Sequence, residues 1–210
     1  MRGIYLNVFA DFVMSTSSKR ATLIKRLIRE QNKKPSEYNT FEDWLPIRNA
    51  IQRYLRAGGT GSALDLAVEN ANEKRKARYE ALIGGFKKYR GKRELKWVEL
   101  PTLTFNYNAL SVRCKPDVGI VDRGTKYFLK LHYGAVAPNN ERVAVVAQVM
   151  RSAMKGVSAE TKFGMLDLRR GTIRARPGSE SMADAIEQDA EAFLSYWDRY
   201  SKPSSEHGTA

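Results

Sequence analysis

Asp117 and Lys130 are the residues whose types and spacing could do chemistry. Asp117 follows Pro116 and opens an apolar run, Val118, Ile120 and Val121, while Lys130 lies in a second run with Tyr127, Phe128, Leu129 and Leu131. Asp122-Arg123-Gly124 separates the two runs, and a glycine there supplies the positive φ that a hairpin turn often needs. Pro116 stands where a strand begins, the place at which its missing N–H costs least. Two adjacent strands then carry a carboxylate and a lysine side by side, an arrangement that suits cleavage of phosphodiesters.

The elements that must position this pair follow from periodicity. Residues 1–14 carry an apolar patch (Ile4, Tyr5, Leu6, Val8, Phe9, Phe12) interrupted by Asn7 and Asp11, and no small-residue cleavage site follows. The patch is expected to pack on the body and not to act as a signal peptide. Ser15 to Ser18 can open a helix, because hydroxyl side chains accept from the unpaired N–H groups of a first turn. Ala21, Leu23, Ile24, Leu27 and Ile28 give that helix an apolar side and Lys19, Arg20, Lys25, Arg26 and Arg29 a basic one; Lys33-Lys34-Pro35 ends it. A second helix is predicted from Thr40, its cap, to Arg56, with Trp44, Ile47, Ile51 and Leu55 buried. The glycines at 58, 59 and 61 lack the Lys-Ser or Lys-Thr of a phosphate-binding loop and read as a flexible connection. One long helix is predicted from Ser62, its cap, to Tyr89.

Beyond it the pattern becomes strand-like. Strands are predicted over 95–105, bent at Pro101, over 110–121 and over 126–133, forming an antiparallel meander. A helix opened by Pro138-Asn139 and running to Met154 follows, then strands over 163–168 and 172–176, then a helix over 182–200 with an acidic first half. The fold class expected is α+β, a central mixed sheet with a helical N-terminal region and a C-terminal helix. The organisation expected is a helical region over 1–61 packed on the core, an α/β core with its C-terminal helix over 62–200, and a disordered tail over 201–210.

The chain has 210 residues, enough for one sizeable domain. Its 36 Lys and Arg against 23 Asp and Glu, a net charge of +13, make a polyanion the first partner to consider, nucleic acid (DNA or RNA) or an anionic membrane surface, beside the plainer reading of a charge that only keeps the protein dispersed. Lys74, Arg75, Lys76, Arg78, Lys87 and Lys88 are the candidate nucleic-acid contacts on the long helix. The same residues also read as a solvated face whose cations suit a helix C-terminus. The single cysteine, Cys114, excludes an intramolecular disulfide and a cysteine-rich zinc site, and it fits a small buried strand residue in a reducing, cytoplasmic setting. The two histidines, His132 and His207, have no nucleophile motif beside them. No run reaches the length of a membrane span, so no membrane partner is expected. A homodimer through the apolar N-terminal segment or the acidic last helix remains open.

The stretch KPDVGIVDRGTKYFLK, set in the order helix, three strands, helix, strand over roughly residues 62–170, resembles the PD-(D/E)XK nuclease superfamily, the restriction-endonuclease-like fold and its RecB-type branch in particular. MLDLRRGTI resembles the strand pair that follows that branch's core helix. The chain is also similar to an uncharacterised bacterial family with the same middle region, a likeness that implies no activity. The nuclease resemblance implies that Asp117 is the first carboxylate and metal ligand, that Lys130 is the catalytic lysine, and that Gln148 contributes from the following helix. It implies Mg²⁺ as cofactor if the site is active, held by two carboxylates, with the metal activating a water and the lysine offsetting charge on the phosphate. The second carboxylate belongs two residues before the lysine. Phe128 stands there and cannot bind Mg²⁺. Three replacements stay open: a carboxylate from elsewhere, such as Glu80, Glu99 or Glu141, an alignment shifted by a few residues, or Gln148 as a weak ligand. The expectation is a nuclease-like scaffold, catalytically impaired, that binds nucleic acid through its basic helices. A Mg²⁺-dependent nuclease with a relocated carboxylate and a protein-interaction module are the alternatives.

Overall fold

The computed structural model describes residues 2–31, 43–154, 156, 158 and 160–201. The architecture is α+β, with helices on both faces of a five-stranded mixed sheet and a smaller three-stranded sheet at its side.

The large sheet has the order β2-β5-β6-β7-β8, built from β2 (Lys96–Trp97), β5 (Val118–Asp122), β6 (Thr125–His132), β7 (Lys162–Asp167) and β8 (Thr172–Arg176). Only β6 and β7 run parallel, and α6 (Asn140–Ala153) connects them, as a parallel pair requires. The β5–β6 hairpin closes through two residues with positive φ, Arg123 at 49° and Gly124 at 80°, whose twist matches that of the flanking strands. Alternation along the strands then sorts the side chains. Phe128, Phe163 and Met165 face α6, while Val118, Ile120, Leu129, Leu131 and Leu166 face the opposite helices.

Those opposite helices are α3 (Leu45–Arg56), α4 (Ala63–Glu69) and α5 (Glu73–Arg90). Ile47, Ile51, Leu55, Leu82 and Phe86 bury against the sheet, each contributing about 1.5–3 kcal/mol relative to exposure. On the α6 face lie α1 (Leu6–Val13), α2 (Ser17–Gln31) and α7 (Glu180–Ser201), where Phe9, Phe12 and Phe193 are fully buried. The apolar N-terminal segment therefore belongs to the core. Its strand β1 (Arg2–Tyr5) pairs in parallel with β4 (Leu110–Arg113), and β4 pairs with β3 (Thr104–Tyr107).

Several expectations need correction. The helix predicted over 62–89 is two helices, because Asn72 caps α5 by accepting from the Arg75 N–H at 3.1 Å. Ser62 stands at the N-terminus of α4 but makes no side-chain cap. The strands predicted over 95–105 and 110–121 are each broken, with one half in each sheet, so the meander β2-β5-β6 carries the β3–β4 hairpin as an insertion. Asn139 does open α6, accepting from the Arg142 N–H at 2.8 Å. Thr40, the terminator Lys33-Lys34-Pro35, His207 and the tail beyond Ser201 lie outside the described residues. Among the described residues no helix is long and apolar enough to cross a membrane.

Candidate functional site: a cationic cleft around Asp117

Asp117 sits immediately before β5 and continues its ladder, its N–H donating to the Leu129 carbonyl at 2.9 Å. Its carboxylate turns back on β6. Oδ2 accepts from the Leu131 N–H at 3.0 Å and Oδ1 from Lys130 Nζ at 2.7 Å. The lysine also donates to the Lys115 carbonyl at 3.3 Å. The second wall is α3. Arg48 and Gln52, one helical turn apart and so on one face, reach the same residue, with the Arg48 guanidinium 3.7 Å from Oδ1 and the Gln52 amide donating to the Asp117 carbonyl at 2.7 Å. The Asp117 and Lys130 side chains are 7 % and 15 % exposed, so the pair is held largely away from water.

Two chambers meet over this pair, of about 400 Å³ and about 560 Å³, and share Tyr5, Asn7, Arg48, Asp117 and Lys130. The first adds Arg113 and Lys115, both exposed, so among the described residues four cations line a chamber with one carboxylate. The second adds Trp44, Tyr133 and His132. Trp44 stacks on Tyr133 with ring centres 4.9 Å apart, and Arg78 lies over the Trp44 ring. Burial, with the Asp117 charge adding to it, pushes the Tyr133 hydroxyl far above its usual range, so it stays a neutral donor. The remaining ions of the second chamber, Asp11 and Arg142, pair with each other at 2.5 Å. The cationic excess therefore gathers in the first chamber.

Among the described residues the donor set does not fit a divalent metal. Phe128 points to the same sheet face as Lys130 and is buried against Phe163, with ring centres 5.9 Å apart. It pairs with Gly119, where an added Cβ would come within 3.1 Å of the Phe128 ring. Of the three substitute carboxylates, Glu80 and Glu141 are exposed on α5 and α6, while Glu99 accepts from Trp97 Nε1 at 2.9 Å; none lines the cleft. Among the described residues no three of His, Cys, Asp and Glu gather closely enough to hold a metal ion.

The structure thus brings Asp117 and Lys130 together and leaves Gln148 elsewhere. The Gln148 amide faces Ser152 on its own helix and accepts from the Ser179 N–H at 3.3 Å, at the start of α7. The six cations singled out on α5 form no single stripe. At about 100° per residue, Lys76 and Lys87 flank one side of the buried face and Lys74, Arg78 and Lys88 the other. Arg75 pairs with Asp43 and Lys87 with Asp65. The basic side of α2 is also engaged, through Arg20 on Asp189 and Lys25 over Tyr200. Sequence reasoning missed Arg48, Gln52, Arg113 and Lys115. The Arg48/Gln52 spacing beside the buried Ile47 and Ile51 was the available signal.

Comparison with protein-family models, with curated proteins and with solved structures finds no match to this chain.

Proposed function

We propose that the protein binds nucleic acid in the cleft over Asp117 and does not cleave it, on a scaffold of restriction-endonuclease-like descent. The observation that carries this reading is the state of the carboxylate. Asp117 is engaged by Lys130 and the Leu131 N–H, Phe128 stands where the nuclease resemblance would put a partner carboxylate, and among the described residues cations outnumber anions around the pair. A cleft built this way suits an anion better than a cation. The order α5, β2, β5, β6, α6, β7, with an acid and a lysine on neighbouring strands, supports the descent.

A labelled oligonucleotide titrated by fluorescence anisotropy tests the binding. Affinity is expected to fall steeply between about 50 and about 200 mM salt, as release of condensed counterions requires. No binding at low salt overturns the reading. Incubation of linear and single-stranded DNA with Mg²⁺ or Mn²⁺ tests the second clause. Cleavage that disappears in Asp117→Ala and Lys130→Ala would establish a nuclease with a relocated carboxylate instead.

A further inference from the structure

We infer that the Asp117 cleft is one end of a longer phosphate-binding track, which follows α3 to a second cationic hollow beside the β5–β6 turn, and that one nucleic-acid strand occupies both ends. This rests on the nucleic-acid reading and extends it. The second hollow measures about 590 Å³ and is lined by Lys92, Arg93, Lys96 and Arg123 with Glu94 and Asp122. Asp122 belongs to its wall. The side chain is 14 % exposed, accepts from the Tyr89 hydroxyl at 3.2 Å and holds the Arg93 guanidinium at 3.5 Å, while Oδ1 is buried out of an occupant's reach. Lys92, Lys96 and Arg123 are exposed, and among the described residues none of the three side chains has an ion pair or a hydrogen bond. Local structure does not account for them. They come from the loop after α5, from β2 and from the β5–β6 turn, so the helix dipole that suits Lys87, Lys88 and Arg90 explains none of them. Arg123 has φ 49°, a left-handed turn position in which Asn, Asp or Gly is preferred, so the turn does not call for an arginine.

The helix α3 joins the two ends. Arg48, Gln52 and Arg56 recur every four residues, so they stay within about 80° of one another around the helix and span about 12 Å along it. Arg48 and Gln52 meet Asp117 at the start of β5. Arg56 lies over the Trp97 ring, 4.8 Å from its centre, and Trp97 pairs with Ile120 further along the same strand. A hollow of about 380 Å³ links Arg56 to the second site, sharing Arg93, Glu94 and Lys96 with it. The Arg56–Glu99 pair, at 3.8 Å with both side chains exposed, contributes little and yields readily to a phosphate. From Asp117 to Asp122 the chain runs about 17 Å, the rise of about five nucleotides in a B-form strand. Cations at both ends of such a path, with arginines between them, follow the regular charge of a nucleic-acid backbone.

The test uses labelled single-stranded oligonucleotides of about 12 and about 4 nucleotides, the shorter carrying too few phosphates to serve both groups of cations. The 12-mer is also presented as a duplex. The full chain, its Lys92→Gln/Lys96→Gln/Arg123→Gln triple variant and Lys115→Gln are titrated with each by fluorescence anisotropy, and circular dichroism checks that each variant is folded. The triple variant is expected to weaken the 12-mer at least about tenfold and to lower its slope of log affinity against log salt by about two, while the 4-mer changes by less than about threefold. Lys115→Gln, at the other end, is expected to lower the slope for both lengths by about 0.7. A triple variant that binds the 12-mer as tightly as the unmodified chain overturns this inference and leaves the nucleic-acid reading standing. Equal losses for the two lengths, or a Lys115→Gln variant silent toward the 12-mer, overturn it as well, because the two ends then do not share one strand. Failure of every oligonucleotide to bind at low salt overturns both.

Discussion

Removing the Lys130 ammonium should strand the Asp117 carboxylate, and the consequence can be worked from the geometry. At 2.7 Å and an effective dielectric of about 20, the gross attraction between the two charges is about 6 kcal/mol. Desolvation cancels most of that in the intact pair, so the pair itself adds little net stability. Deleting one partner is different, because the remaining charge keeps its desolvation penalty; losses of about 3–5 kcal/mol are typical. The Leu131 N–H and the Arg48 guanidinium still serve Asp117 in the variant, which places Lys130→Met at the lower end, about 3 kcal/mol. In a chain of this length that corresponds to a fall in Tm of roughly 6–12 °C. Asp117→Asn should cost less, about 1–2 kcal/mol, since the lysine retains the Lys115 carbonyl and some water. The double variant removes both charges and should lose no more than Lys130→Met alone, giving a coupling of at least about 1–2 kcal/mol. Urea unfolding followed by circular dichroism measures all four proteins. Effects that add to within about 0.5 kcal/mol would refute the reasoning, because independent costs mean that the two groups do not share a desolvated pair.

Three further outcomes follow from other parts of the structure. A Cβ at Gly85 would lie 1.6 Å from the Leu168 carbonyl oxygen, so Gly85→Ala must push α5 off the sheet and should destabilise by at least about 3 kcal/mol in the same assay, whereas Gly84→Ala, in open space, should be neutral or slightly stabilising. Burial pushes the Cys114 thiol up to about 11, so a thiol reagent at pH 8 should label the chain only in denaturant; rapid labelling of the native protein would contradict its burial. Burial raises the Asp189 carboxyl above its usual value, with Arg20 working against the rise. A folded-state value above the unfolded one means the native state binds the extra proton. Stability from this group is then full below the unfolded value and is lost as pH rises through the folded one. Lowering the pH from 7 toward 4 should therefore shift the stability difference between the protein and Asp189→Asn in favour of the protein, and a shift the other way would show that the Arg20 pairing outweighs burial.

The β5–β6 hairpin was legible because its signals are local: two apolar runs, a turn that needs positive φ, and a proline at the start. Its register then carried Asp117 and Lys130 to each other. The break at Asn72 was hidden because Leu64, Ala67, Leu82 and Phe86 keep apolar residues flowing on both sides of it. The strands around Pro101 and Pro116 misled for a related reason: alternation persists across each proline, and nothing in it says that the chain changes sheets there. Arg48 and Gln52 lie far from Asp117 in sequence, the Gln52 bond spanning 65 positions, so no window of local pattern includes both ends. Gln148 was placed by resemblance, and the geometry gives its amide a structural duty at the start of α7.

The walls of the first chamber come from five separate stretches of the described chain, and β1, which leads into it, is tied to α7, where Arg2 meets Asp198 across 196 positions. No fragment that ends before Lys130 carries the finished groove. An occupant that touches both walls acts as a staple across the whole fold. Its binding energy then opposes complete unfolding and not merely the loosening of one loop, and a rise in melting temperature becomes a direct readout of occupancy.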